Sequence, residues 1–187
     1  MLAAWRQPWS TNYVSLAGEF LVLAELALRG LDGTLTLGHT KGIDILVHNP
    51  RTRRTFKVEV KTTTKGVGRE TPFGESYAWL VSKAAGDRTD RDLVYAFVRL
   101  ETGETMRDVR RFFLVPAADV ATYVRWEYRL HARLVKKRRN PESTMRKFRI
   151  PVETNAGMMP RSWSDGRWRR WENNWEIFGP APARRKV

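Results

Sequence analysis

The sequence predicts an α/β fold in which a mixed β-sheet is flanked by helices. Three observations carry this. A leucine- and alanine-rich run of helical length lies near the start and stops at Gly30. A succession of short apolar runs follows, rich in β-branched and aromatic residues and separated by turn residues. A second stretch with helical spacing begins after Pro116. The implied order is αβββ, then three further strands, then a basic helix.

The first helix is predicted from Tyr13 to Arg29, closed by a glycine suited to the left-handed position after a helix. Its apolar residues lie on nearly every face, which predicts burial against a sheet. Strands are predicted at Thr34 to Leu37, Ile43 to His48 and Thr55 to Thr62. The last two are joined through Asn49-Pro50 and Arg51 to Arg54, the length of an ordinary hairpin connection. Threonine, glycine and charge from Thr63 to Glu75 predict a mobile loop, Tyr77 to Ser82 a short strand, and Lys83 to Asp92 a second mobile loop.

Leu93 to Leu100 and Arg111 to Val115 read as strands joined by a turn around Gly103. Pro116 then closes the sheet, and Asp119 can cap a helix running to about Arg139. On that helix Val120, Val124, Tyr128, His131 and Val135 recur as a packing face, while Arg125, Arg129, Arg133 and Lys137 fall four apart on another. After Asn140-Pro141 come a smaller element, RKFRIPV, and a tail carrying Trp163, Trp168, Trp171 and Trp175, half of the tryptophans. Solvated indoles are costly, so part of this tail is expected to dock on the body. A single domain is expected over residues 1–178, with 179–187 a disordered basic tail.

Composition narrows the function classes. Hydrophobic residues at 42% and charged residues at 29% exclude a wholly disordered or collagen-like chain. Cysteine is absent, which excludes disulfides, thiolate metal sites and cysteine nucleophiles. The apolar run Phe20 to Leu28 is broken by Glu25 and is shorter than a bilayer span, and no signal-like segment opens the chain, so a cytoplasmic protein with no membrane partner is expected. The net charge is +14, with 34 basic against 20 acidic residues, which points to a polyanion as partner.

The sharpest constellation is Asp44 in GIDILV followed by Glu59 and Lys61 in VEVKT. Strand side chains alternate, so Glu59 and Lys61 share one face while Val58 and Val60 share the other. Antiparallel pairing through the Asn49 to Arg54 turn brings Asp44 toward Glu59, and two converging carboxylates suit a hard cation. The plain alternative is a salt bridge from Lys61 to one of the two acids. Glu19 in the first helix is flanked by Leu16, Leu23 and Leu26, a spacing that places its carboxylate on a buried face; its plain alternative is an acid favoured by the helix dipole. His39, His48 and His131 have no metal-binding spacing, and no phosphate-binding glycine loop occurs.

In this order Glu19, Asp44 and Glu59-Val60-Lys61 resemble the PD-(D/E)XK nuclease superfamily, which includes type II restriction enzymes and archaeal-type Holliday junction resolvases. The resemblance runs from about Gly18 to Val115 and weakens in the tryptophan-rich tail; Ile43 stands where the name's proline would. It implies a restriction endonuclease-like sheet. It also implies that Asp44 and Glu59, with the Val60 carbonyl, bind Mg²⁺ or Mn²⁺, that Lys61 holds or polarises the attacking water, and that Glu19 joins the catalytic set. Phosphodiester hydrolysis needs this chemistry: a cation on the phosphoryl oxygen, an activated water and a stabilised leaving oxygen.

The basic excess is C-terminal. From residue 101 onward 20 basic and 10 acidic residues leave +10, against +4 for the first hundred. Arg125, Arg129, Arg133 and Lys137, together with Lys41, Lys65 and Arg69, are the candidate phosphate contacts; a solvated face is the plain alternative for any one of them. The arginine-tryptophan alternation permits base stacking, although core-covering indoles are the reading preferred here. The expected activity is DNA cleavage within the strand, with RNA left open, by a homodimer, because two strands need two cuts and the chain carries one site. The rival is a catalytically idle nucleic-acid-binding module on the same fold.

Overall fold

The computed structural model describes residues 10–36, 42–101, 109–134 and 143–180. In chain order the elements are α1 (Thr11–Leu28), β1 (Asp32–Leu35), β2 (Ile45–Asn49), β3 (Arg54–Thr63), β4 (Gly68–Glu70), β5 (Gly74–Ser82), a 3-10 turn (Lys83–Gly86), β6 (Leu93–Glu101), β7 (Val109–Pro116), α2 (Ala117–Leu134), β8 (Met145–Ala156) and two further 3-10 segments (Arg161–Trp171 and Trp175–Phe178). A five-stranded sheet has the order β1-β2-β3-β6-β7, and a three-stranded sheet the order β4-β5-β8. Among the described strands only β3 and β6 pair in parallel, so the larger sheet is mixed. The predicted α/β class and its flanking helices are borne out.

Helix α1 starts where the Ser10 side chain accepts the Tyr13 amide at 3.4 Å. It ends in a double carbonyl capture. Gly30, at φ 70°, donates to the Ala27 carbonyl at 2.9 Å, and Leu31 donates to Leu26 at 3.0 Å. Its burial corrects the sequence expectation. Val14, Gly18, Val22 and Leu26 are buried, whereas Tyr13, Leu16, Phe20 and Leu28 are exposed. Residues four apart trace one stripe, so a helix resting on one sheet face buries that stripe however apolar its other faces are. Counted whole, α1 is long and apolar enough to cross a membrane, more than the run from Phe20 alone indicates. Here its buried stripe lies against the sheet.

The β2–β3 hairpin forms as predicted, and Asn49 explains both the turn and the seating of the C-terminal segment. Its Oδ1 accepts the amides of Arg51 (2.9 Å) and Thr52 (3.2 Å), while its Nδ2 donates to the carbonyls of Phe178 (2.9 Å) and Pro180 (3.1 Å). A fully buried amide is thus satisfied on both sides.

The larger sheet is covered on both faces. On one, Val58, Val60, Val94, Ala96 and Leu114 pack with Val22 and Leu26 of α1 and with Trp175 and Phe178. On the other, Tyr95, Phe97 and Phe113 pack with Trp79, Phe148, Tyr123, Trp163 and Trp171. Strand β6 serves both faces, which is why LVYAFVRL is apolar without alternation. Phe97 stacks on Phe148 with centroids 4.1 Å apart, and Trp163 on Tyr123 at 4.5 Å. All four tail tryptophans are buried while Arg161, Arg167, Arg169 and Arg170 stay exposed, so the indoles cover the core.

Three further expectations are corrected. Helix α2 begins at Ala117, which puts Asp119 inside the first turn, paired with Arg170 at 3.2 Å, and not at the cap. Its buried face runs through Val120, Tyr123, Val124 and Glu127; Tyr128 is exposed, and Arg146 lies over its ring. The stretches expected as mobile loops hold β4 and the 3-10 turn. The side chain of His131, Val135, the turn at Gly103 and the tail 181–187 lie outside the described residues.

Candidate active site

The site forms where β2 runs out. β2 covers β3 only from Arg54 to Val58, whereas β6 accompanies β3 from Lys57 to Thr63. Among the described strands, none covers that edge of β3 from Glu59 onward. Asp44, just ahead of β2, fills the gap. Its amide donates to the Val58 carbonyl (2.8 Å), although Val58 stands opposite Ile45, and its carbonyl accepts from Thr36 (3.0 Å). With the backbone held on both sides, its Oδ2 accepts the Val60 amide at 2.7 Å. A side chain therefore completes the ladder where a strand would have continued.

Glu59 is buried at 6% exposure, a burial that requires partners. Lys61 reaches its Oε1 at 2.8 Å and Arg88 its Oε2 at 3.0 Å. Tyr95 lies opposite Glu59 in the parallel ladder; burial first, and the Glu59 charge second, push its hydroxyl far above the usual tyrosine range. Arg88 also donates to the Gly42 carbonyl at 2.9 Å. Gly42 is at φ 78°, and a Cβ there would lie 2.3 Å from the Arg88 guanidinium and 3.0 Å from Glu59 Oε2, so the turn into Asp44 accepts only glycine.

Glu19 comes from α1. A Cβ on the preceding Gly18 would sit 1.9 Å from Thr62 Oγ1, so the missing side chain lets the helix lie directly on β3. Half-buried there, Glu19 has its pKa raised by burial and then by the Asp44 charge, with Lys61 working the other way. Asp44 is also raised, chiefly by burial and further by Glu59; the Val60 amide and Lys61 offset part of this. Asp44 and Lys61 thus link Glu19 of the helix to Glu59 of β3.

The sequence-predicted residues divide clearly. Glu19, Asp44, Glu59 and Lys61 come together, with the Val60 backbone in contact with Asp44. Lys65 and Arg69 are exposed on the segment that leaves β3, and Arg69 is paired with Glu75 at 2.7 Å. Arg125, Arg129 and Arg133 are exposed on α2, and the Arg125 guanidinium donates to the Gly86 carbonyl, two residues before Arg88. Lys41 and Lys137 lie outside the described residues. Arg88 is the site residue that sequence reasoning misses. Its local context, GDRTDRD, is that of a solvated loop, and only the unmet need of a buried Glu59 for counter-charge points toward it.

The donor chemistry of Asp44 and Glu59, two carboxylates with the Val60 backbone between them, suits a hard divalent cation, and burial with neighbouring negative charge raises the pKa of Asp44 and of Glu19. Among the described residues no group of three or more acidic, histidine or cysteine side chains is set in a metal-holding arrangement. The fit therefore rests on the pair Asp44 and Glu59, with backbone oxygen beside them.

No family model matches the chain, and no curated protein matches it. Among solved structures the chain is similar to a bacterial homing endonuclease, with 14% identity, a TM-score of 0.48 and a match that covers 91% of each chain.

Proposed function

We propose that the chain is a Mg²⁺- or Mn²⁺-dependent endonuclease that hydrolyses phosphodiester bonds in DNA through a PD-(D/E)XK-type site. One observation carries this reading: Glu19, Asp44, Glu59 and Lys61, drawn from α1, the turn before β2 and β3, meet at the open edge of β3. An ordinary salt bridge has no use for a partly desolvated Asp44 set between two further acids, Glu19 and Glu59, whose charges act against its own. The net charge of +14 supplies the attraction to a polyanion.

Asp44 and Glu59 would hold the cation, joined by the Val60 carbonyl, which in an extended strand points to the same edge as the amide already bound to Asp44. When bound, the ion supplies a Lewis acid at the phosphoryl oxygen. Lys61, beside Glu59, steadies the attacking oxygen and the negative charge that develops on the phosphate. Glu19, whose pKa is raised by burial and by the Asp44 charge, suits acceptance of the water proton.

A homodimer would place two such sites on two strands. The exposed face of α1 supports it: Tyr13, Leu16, Phe20 and Leu28 form an uncharged surface in a strongly basic chain, where two copies could approach without charge repulsion. Sedimentation of the wild type against Phe20→Glu checks this, and two monomers would end it. The enzymatic reading is tested with supercoiled plasmid in Mg²⁺ or EDTA. Nicking in Mg²⁺ alone, lost in Asp44→Asn, is expected; a gel shift without cutting in either condition would make the chain a binding module.

A further inference from the structure

The proposed reaction leaves Arg88 without a part, yet Arg88 occupies the site's most buried acid. Its NH1 lies 3.0 Å from Glu59 Oε2 and 2.9 Å from the Gly42 carbonyl. One guanidinium thus bridges the strand that carries Glu59 and the turn that leads into Asp44. The seat is built for it, since Gly42 leaves open the space that a Cβ would take 2.3 Å from NH1. Lys61 holds the other oxygen of Glu59 at 2.8 Å. Both oxygens of a carboxylate that would bind a cation are therefore already matched with fixed positive charges.

We propose that Arg88 is the resident counter-ion of Glu59: a positioning residue that holds the buried carboxylate in place and competes with a divalent cation for Glu59 Oε2. The inference rests on the reading of Asp44 and Glu59 as cation ligands. A guanidinium and a divalent ion on one carboxylate repel each other, so the affinity of the site for the ion is set partly by Arg88. The pairing also accounts for the burial of Glu59, because a carboxylate at 6% exposure is matched on both oxygens, by Lys61 and by Arg88.

The test is Mn²⁺ binding to the full chain without nucleic acid, followed by calorimetry and by the loss of the free-ion paramagnetic signal. Arg88→Gln removes the charge and keeps a polar amide side chain. It should bind Mn²⁺ about tenfold tighter or more, the scale on which a charge a few ångströms away alters an ionic equilibrium. Arg88→Lys restores the charge and should return the affinity close to wild type. Asp44→Asn should lose the binding. Equal or weaker Mn²⁺ binding in Arg88→Gln, with Asp44→Asn still deficient, overturns the proposal and leaves the cation site standing. Binding that Asp44→Asn does not alter overturns the site itself, and the proposal with it. Should Arg88→Gln not fold by circular dichroism, Arg88→Met, which keeps most of the aliphatic stem, is judged by the same outcomes.

Discussion

Lys61 is a salt-bridge partner of Glu59 and, under the proposed function, an electrostatic catalyst, and a substitution separates the two roles. Because Arg88 also neutralises Glu59, removal of Lys61 leaves the buried carboxylate paired, and the fold survives. Lys61→Ala should therefore fold, bind DNA in Ca²⁺ nearly as well as wild type, and cleave on the order of 10²-fold more slowly, the effect of losing one preorganised donor. Lys61→Arg should rescue poorly, since a planar guanidinium does not reproduce a compact ammonium. Single-turnover cleavage at saturating Mg²⁺ measures this, and a wild-type rate in Lys61→Ala would reduce Lys61 to an ordinary ion-pair partner. The pair Glu59 and Lys61 was legible because period-two alternation needs only the strand itself. Arg88 was not legible, because its approach to Glu59 depends on β3 and β6 lying parallel with Lys57 beside Leu93, a pairing between segments far apart in the chain.

At the scale of elements, the contact that completes the site is the close seating of α1 on β3. Gly18 has φ in the helical range, so its absent side chain serves proximity and not backbone freedom; a Cβ there meets Thr62 Oγ1 at 1.9 Å. Gly18→Ala should thus destabilise by about 1–3 kcal/mol, the range for overpacking, and push Glu19 away from Asp44. Adding Thr62→Ala removes the obstructing hydroxyl and should restore most of both stability and activity. Denaturant unfolding and cleavage rates on the two variants check it; a double variant no better than the single one would place the strain elsewhere. The helix and its glycine stop were legible from leucine, alanine and Gly30, as was the β2–β3 hairpin from Asn49-Pro50. The buried stripe was not, since α1 is apolar on nearly all sides and only the sheet selects Val14, Gly18, Val22 and Leu26. The same holds for α2, where an aromatic at Tyr123 and an acid at Glu127 face inward, the latter because Arg149 meets it at 3.2 Å.

Across the whole molecule, charge and core divide the chain's basic residues into two kinds. Arg149 and Arg99 are buried and matched with acids, so they hold the fold and offer nothing to a ligand. Arg129 and Arg133 are exposed on α2, and Arg125, on the same helix, is tied to Gly86 on the segment that carries Arg88 to the site. The helix is thereby joined to the segment that reaches the open edge of β3, and under the proposed function a polyanion lying along α2 would be led toward it. Replacing Arg129 and Arg133 with alanine should lower affinity about equally for all DNA sequences and reduce the salt dependence of binding, because each lost phosphate contact removes about one released counterion. It should leave stability nearly unchanged. Arg125→Ala should differ: a smaller loss of affinity, with a slower cleavage step, since the Gly86 to Arg88 segment loses its tether. Binding titrations at several salt concentrations, set beside single-turnover rates, distinguish the two. An unchanged salt slope in the Arg129 and Arg133 variant would show that this face of α2 is solvated and that the DNA follows another path, whereas parallel losses in affinity alone for all three arginines would show that Arg125 acts as one more phosphate contact without any hold on the site.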